Sequence, residues 1–170
     1  MNRFLVLGII VIGIMTRLIP HPPNFTPILS FALLSGVYSK NNLGIFIPIS
    51  IMLLSDMFLG SHGAIIWVYS SLFVIYLIGY YFIKNISFKN VLLGAMIGSF
   101  IFFVLTNLGV WFIGYPKTID GLIACYVAAI PFYKNTFLSA IIYTSVIHTA
   151  YIFLSKNILL RCLIMMVVNF

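Results

Sequence analysis

Two acids, three histidines and two cysteines are nearly the whole reactive inventory of this 170-residue chain. Asp56 is the one acid inside an apolar run. An ionisable group at that depth costs a few kcal/mol unless it is paired or wetted. Its expected partner is Arg17, His21 or His62. It either fixes its own segment against the first one as an ion pair, or stands in the wall of a polar cavity. His21, His62, Asp56 and Cys125 together offer the N, O and S atoms that a transition metal takes. They are too dispersed for a ligand motif, and no HxxxH or CxxC exists, so no metal or other cofactor is expected. His148 stands apart from this group and suits an interhelical hydrogen bond.

The neutral polar residues extend the set. Asn24 and Asn135 lie near segment ends, where caps belong. Asn107 lies about two turns inside its segment, where an amide bonds a neighbouring helix or a ligand. Trp67, Trp111, Tyr115, Tyr126 and Tyr133 share one level, as an interfacial belt or as stacking surfaces of a pocket. There is no GxSxG, no HExxH, no carboxylate pair and no phosphate-cradling glycine loop. The residue types suit binding, and no enzymatic activity and no ATP site are expected.

The elements that must position these residues follow from composition. The chain is 63% hydrophobic and 6% charged, with a mean hydropathy of +1.19; a soluble domain carries about 25% charged residues. A soluble, disordered, collagen-like or disulfide-stapled protein is thereby excluded. The expected class is an all-α integral membrane protein of about six transmembrane helices. The net charge of +7 comes from nine Lys/Arg against two acids. The basic residues stand singly at the ends of apolar runs, the pattern of membrane anchoring and lipid head-group contact rather than of nucleic-acid binding. Cys125 and Cys162 form no framework. The N-terminal run resembles a signal peptide but has no small-x-small cleavage site, and is expected to stay as the first helix.

Polar and Pro/Gly punctuation sets the spans at about 3–19, 26–38, 43–59, 64–83, 90–113 and 136–154. Three prolines between positions 20 and 23 end the first. Thr26 is the expected N-cap of the second, with Pro27 in its first turn. The second is short for a bilayer, and the Pro-rich segment before it is expected to dip inward. Pro48 predicts a bend in the third. Residues 121–133 are apolar but too short to cross, and are expected to form an outer lid. Residues 1–157 make a single six-helix domain, and 158–170 are a short apolar tail suited to the membrane interface. Ala32-x3-Gly36 and Gly94-x3-Gly98 allow close helix contact, either inside the protein or with a partner helix.

With both termini inside, Arg3, Lys40, Lys84, Lys89, Lys156 and Arg161 are cytoplasmic, and Arg17, Lys117 and Lys134 are outside. This bias satisfies the positive-inside rule. All the irregular, polar and aromatic segments then face outward, while the inner turns are plain Lys/Asn punctuation. An outward pocket is expected, lined by His21, Asn24, Asp56, His62, Asn107, Trp111 and Tyr126.

Arg17-Leu-Ile-Pro-His-Pro-Pro-Asn-Phe-Thr-Pro27, Leu54-Ser-Asp-Met-Phe-Leu-Gly60, Thr106-Asn-Leu-Gly-Val-Trp111, Tyr115-Pro-Lys-Thr118 and Cys125-Tyr-Val-Ala-Ala-Ile-Pro-Phe132 resemble a family of small bacterial membrane proteins described as candidate transport proteins. That family is similar to the S components of energy-coupling factor (ECF) vitamin transporters. The resemblance implies six helices and a substrate pocket at the outer loops. It also implies docking onto an ECF transmembrane subunit coupled to cytoplasmic ATPases, in a bacterial inner membrane. Two features of the pattern are absent: an AxxxA contact in the first helix, where Gly8 and Gly13 are spaced five apart, and an acid near Ser139-Ala140. The expected function is a substrate-binding subunit for uptake of a small micronutrient, a vitamin or metal-linked cofactor. Its partners would be that small molecule, membrane lipid and the ECF subunits. The alternative is a non-enzymatic scaffold of a cell-envelope complex, with the outer loops as protein contacts.

Overall fold

The computed structural model describes residues 3–39, 42–60 and 63–156. His62, Cys162 and the 158–170 tail lie outside the described residues. Within them the chain is all helical: α1 (Arg3–Leu18), α2 (Ile28–Tyr38), α3 (Phe46–Leu59), α4 (Ile65–Leu77), α5 (Phe88–Gly114) and α6 (Ile119–Lys156). A 3-10 turn, Asn42–Ile45, leads into α3, and a π turn, Ile78–Phe82, ends α4.

Three helical stretches are long and apolar enough to cross a membrane: Ile65–Phe82, Phe88–Gly114 and Ile119–Ser155. Their length and composition point to a membrane protein. The outward-facing side chains agree, since Met57, Phe58, Ile66, Phe82 and Ile119 are all more than 70% exposed. Apolar surface of that kind suits lipid rather than water.

α2 is the hub. It is apolar all round and buried over most of its length, including Leu33 and Ala32, as a helix surrounded by others must be. It packs against α3, α4, the π turn, α5 and α6, while α1 packs mainly on α3 and α5 runs along α6. The small residues do internal work. A Cβ on Gly36 would fall 2.2 Å from the Tyr76 carbonyl oxygen, and one on Gly79 would fall 2.2 Å from that of Leu33. The backbones of α2 and α4 therefore cross closer than any side chain permits. Gly94 meets Ile83 and Leu33, and Gly98 meets Ile75. Polar groups seam α2 to α6: Thr144 Oγ1 donates to Ser30 Oγ at 2.8 Å, and Tyr38 Oη lies 2.5 Å from His148 Nδ1. The latter is the interhelical bond expected of His148.

Several sequence expectations are corrected here. Residues 121–133 are not a separate lid: they are the first part of α6, a continuous helix of 38 residues. Lys134, Asn135 and Thr136 look like punctuation, yet each fits a helix. Asn135 Nδ2 donates across to Pro23 O at 3.0 Å, Thr136 Oγ1 bonds back to Phe132 O at 3.0 Å, and the Lys134 side chain is exposed. Pro131 sits on the exposed face, where its missing N–H is tolerated. The N-cap of α2 is Pro27 rather than Thr26, without a side-chain cap bond. Pro48 falls in the first turn of α3, directly after the 3-10 turn Asn42–Ile45, where a proline interrupts no helical bond.

Candidate functional site

The site begins where α1, α3 and α4 meet. Arg17, in the last turn of α1, places its charge at the favourable end of the helix dipole. Asp56 is in the last turn of α3, the unfavourable end for a carboxylate, and its side chain is only 8% exposed. It is held by two neighbours: Arg17 Nη1 donates to Oδ1 at 3.0 Å, and Tyr69 Oη of α4 donates to Oδ2 at 3.2 Å. Arg17 Nη1 also bonds Ser55 Oγ, whose hydroxyl donates to Ile51 O at 2.6 Å. Of the three partners expected for Asp56, the structure pairs it with Arg17. Both carboxylate oxygens are occupied, and Asp56 is on the wall of neither cavity described below.

Residues 19–27 cross the same end. Phe25 N–H donates to Pro22 O at 3.0 Å, closing a turn in which Asn24 has φ of 61°. Asparagine tolerates that left-handed geometry better than most residues. α6 ties the turn down, through Asn135 to Pro23 O and through Ser139 Oγ to Asn24 O at 3.4 Å. His21 is exposed, its ring nitrogens 2.9 Å from Pro22 O and 3.3 Å from Arg17 O. The segment thus lies over the bundle end and enters it only from Phe25 onward.

Beneath it are two adjoining cavities. The smaller, about 170 Å³, is bounded by Arg17, His21, Asn24, Thr26, Met52 and Phe102 among others. The larger, about 300 Å³, is walled by Phe102, Phe103, Tyr133, Asn24, Asn107 and Thr136 among others. Asn24, Val68, Phe102 and Thr136 belong to both, so the two form one cleft. Its size and mixed lining are those of a small-molecule site. Aliphatic and aromatic side chains make up most of its described wall, interspersed with hydroxyls, amides and the His21 imidazole, with one guanidinium and no carboxylate. That wall can bind and orient a molecule but offers no acid–base pair.

Of the residues expected to line a pocket, His21, Asn24 and Asn107 do so. Asn107 Nδ2 also bonds its own helix at Phe103 O, 2.7 Å away. Trp111 and Tyr126 are brought near but used otherwise. Trp111 Nε1 donates to Pro116 O at 2.9 Å, and the Lys117 ammonium lies 5.4 Å from its ring centroid, which fixes the turn between α5 and α6. Tyr126 Oη donates to Val104 O at 2.7 Å and latches α6 to α5. Trp67 lies so close over Gly109 that a Cβ there would fall 2.3 Å from the ring. Cys125 is buried, with Sγ 3.5 Å from Asn107 O. Among the described residues no three of His, Cys, Asp or Glu come together as metal ligands. Phe102, Phe103 and Thr136 were not singled out in the sequence. The usable signal was their helical spacing from Thr106 and Tyr133.

Residues 1–162 match the DUF6580 family, described as a family of unknown function. No curated protein and no solved structure matches the chain.

Proposed function

The chain belongs to the DUF6580 family, described as of unknown function, and we propose that it is a membrane transport protein. In this reading it is a substrate-binding subunit, similar to ECF S components, that takes up a small micronutrient from the outer face of a bacterial inner membrane. The observation that carries the reading is the cleft beneath residues 19–27. It gathers amides, hydroxyls, rings and one cation from α1, α5, α6 and the 19–27 segment at a single end. Among the described residues, a cavity of about 210 Å³ at the opposite end is walled mainly by apolar side chains, Ile9, Phe31, Leu34, Ile47, Ile147 and Leu154 among them, beside Ser35, Tyr38 and Tyr151.

In this reading α1 to α6 all cross, in alternation, with both termini inside and the cleft outside. Arg17 and Lys117 fall at the cleft end, and Lys84 and Lys89 at the other. α1, α2 and α3 have 16, 11 and 14 residues, about 24, 17 and 21 Å of helix against a hydrocarbon core of about 30 Å. The segments at their ends make up part of that difference. With no carboxylate pair and no nucleotide-binding loop in the chain, energy for uptake would come from partner subunits. An ECF-type membrane subunit with its ATPases fits that need.

Deletion of the gene is the test. Uptake predicts a growth defect cured by one vitamin or cofactor precursor in the medium. A shape or division defect that no supplement cures would overturn uptake and favour a scaffold of the cell envelope.

A further inference from the structure

Arg17 is the one fully charged side chain among the described residues that line the cleft, and only part of its head group is engaged. Both of its side-chain bonds, to Ser55 and to Asp56, leave from Nη1. Nε and Nη2 have no hydrogen-bond partner among the described residues. Nor are they sealed away: the buried, unpartnered side-chain atom among those residues is His148 Nε2. Asp56 is braced from behind by Tyr69, so the guanidinium is fixed in place while one edge of its planar donor fork stays unused. Such an edge matches the paired oxygens of a carboxylate. The adjoining larger cavity holds no described ionic group. Its rings, Phe102, Phe103 and Tyr133, are edged by Asn24, Asn107 and Thr136.

We infer that the cleft selects a small ring-bearing carboxylate, whose carboxylate docks on the free edge of Arg17 while the ring occupies the larger cavity. The two cavities share four wall residues, so one molecule can reach both. This inference rests on the cleft being a small-molecule site.

Matched probes test it: benzoate against benzamide, and quinoline-2-carboxylate against quinoline-2-carboxamide. Binding to the full chain in lipid nanodiscs is read by saturation-transfer NMR. The carboxylates should bind about ten- to a hundred-fold more tightly than their amides. Arg17→Gln alone would strand the Asp56 charge, so the decisive variant is Arg17→Gln with Asp56→Asn, which removes both charges together. There the preference should fall to about one-fold. Arg17→Lys, which keeps the charge but not the fork, should fall between. Equal binding of amide and carboxylate to the wild type, or a preference that survives the double variant, would overturn the inference. Equal binding of amide and carboxylate that is lost in Asn107→Ala would leave the cleft standing as a site while removing its anion selectivity. Failure of every probe to bind the wild type would remove both.

Discussion

At the scale of single residues, the decisive arrangement is the carboxylate at the wrong end of a helix. Asp56 faces the negative end of the α3 dipole and is nearly buried, so its neighbours must supply what water would have supplied. Arg17 and Tyr69 each take one oxygen. Asp56→Asn should therefore cost about 3 kcal/mol of stability, and Tyr69→Phe about 1 kcal/mol, measured by thermal unfolding in one detergent. If Asp56→Asn left stability unchanged, the bracing role assigned to Asp56 would be wrong. The sequence narrowed the partner of Asp56 to Arg17, His21 or His62, because few cations stand near an isolated acid in an apolar run, and the structure selects Arg17. The division of labour was not. Tyr69 lies in an apolar helix among many aromatics, and nothing in its spacing marks it as the second donor. Trp111 and Tyr126 show the converse: both have the chemistry of a binding wall, and both spend their polar atoms on backbone carbonyls of the α5–α6 pair.

At the scale of elements, most helices could be read from apolar runs and their punctuation, and the continuity of α6 was missed for one cause. Polar residues were taken as chain breaks wherever they clustered, although a helix can satisfy them. Asn135 reaches the 19–27 segment and Thr136 bonds its own turn, so α6 runs on through them. The small-residue pairs in α2 and α5 were legible as close contacts, but the sequence left their partners open. In the structure the tightest approaches, Gly36 against Tyr76 and Gly79 against Leu33, join α2 to α4 and its terminal π turn inside the bundle. Because the opposing atoms there are backbone, they cannot move aside. Gly79→Ala should cost about 3 kcal/mol. Gly114→Ala, at a position with nothing within 4 Å of the added carbon, should leave stability nearly unchanged. Unfolding of the two variants in parallel checks this, and similar stabilities would refute the backbone crossing.

At the scale of the whole molecule, the chain is asymmetric from end to end. The Pro-rich segment, the braced ion pair and the amide and ring walls share one end, while at the other the Tyr38 ring stacks on His148 and Tyr151 beside a mainly apolar cavity. That polarity was legible before the structure, because the irregular segments alternate with plain turns along the sequence. The cleft itself was legible only in part. His21, Asn24 and Asn107 were named from residue type, whereas Phe102, Phe103 and Thr136 reach the wall through the packing of α5 on α6, which no local pattern specifies. The central claim is that this end binds a small molecule. It is tested most directly by native mass spectrometry of the protein extracted gently from its own membrane. The account predicts a retained small-molecule mass on the wild type that is lost in Asn107→Ala. A wild-type protein that carries no small molecule and is accompanied only by envelope proteins would contradict it.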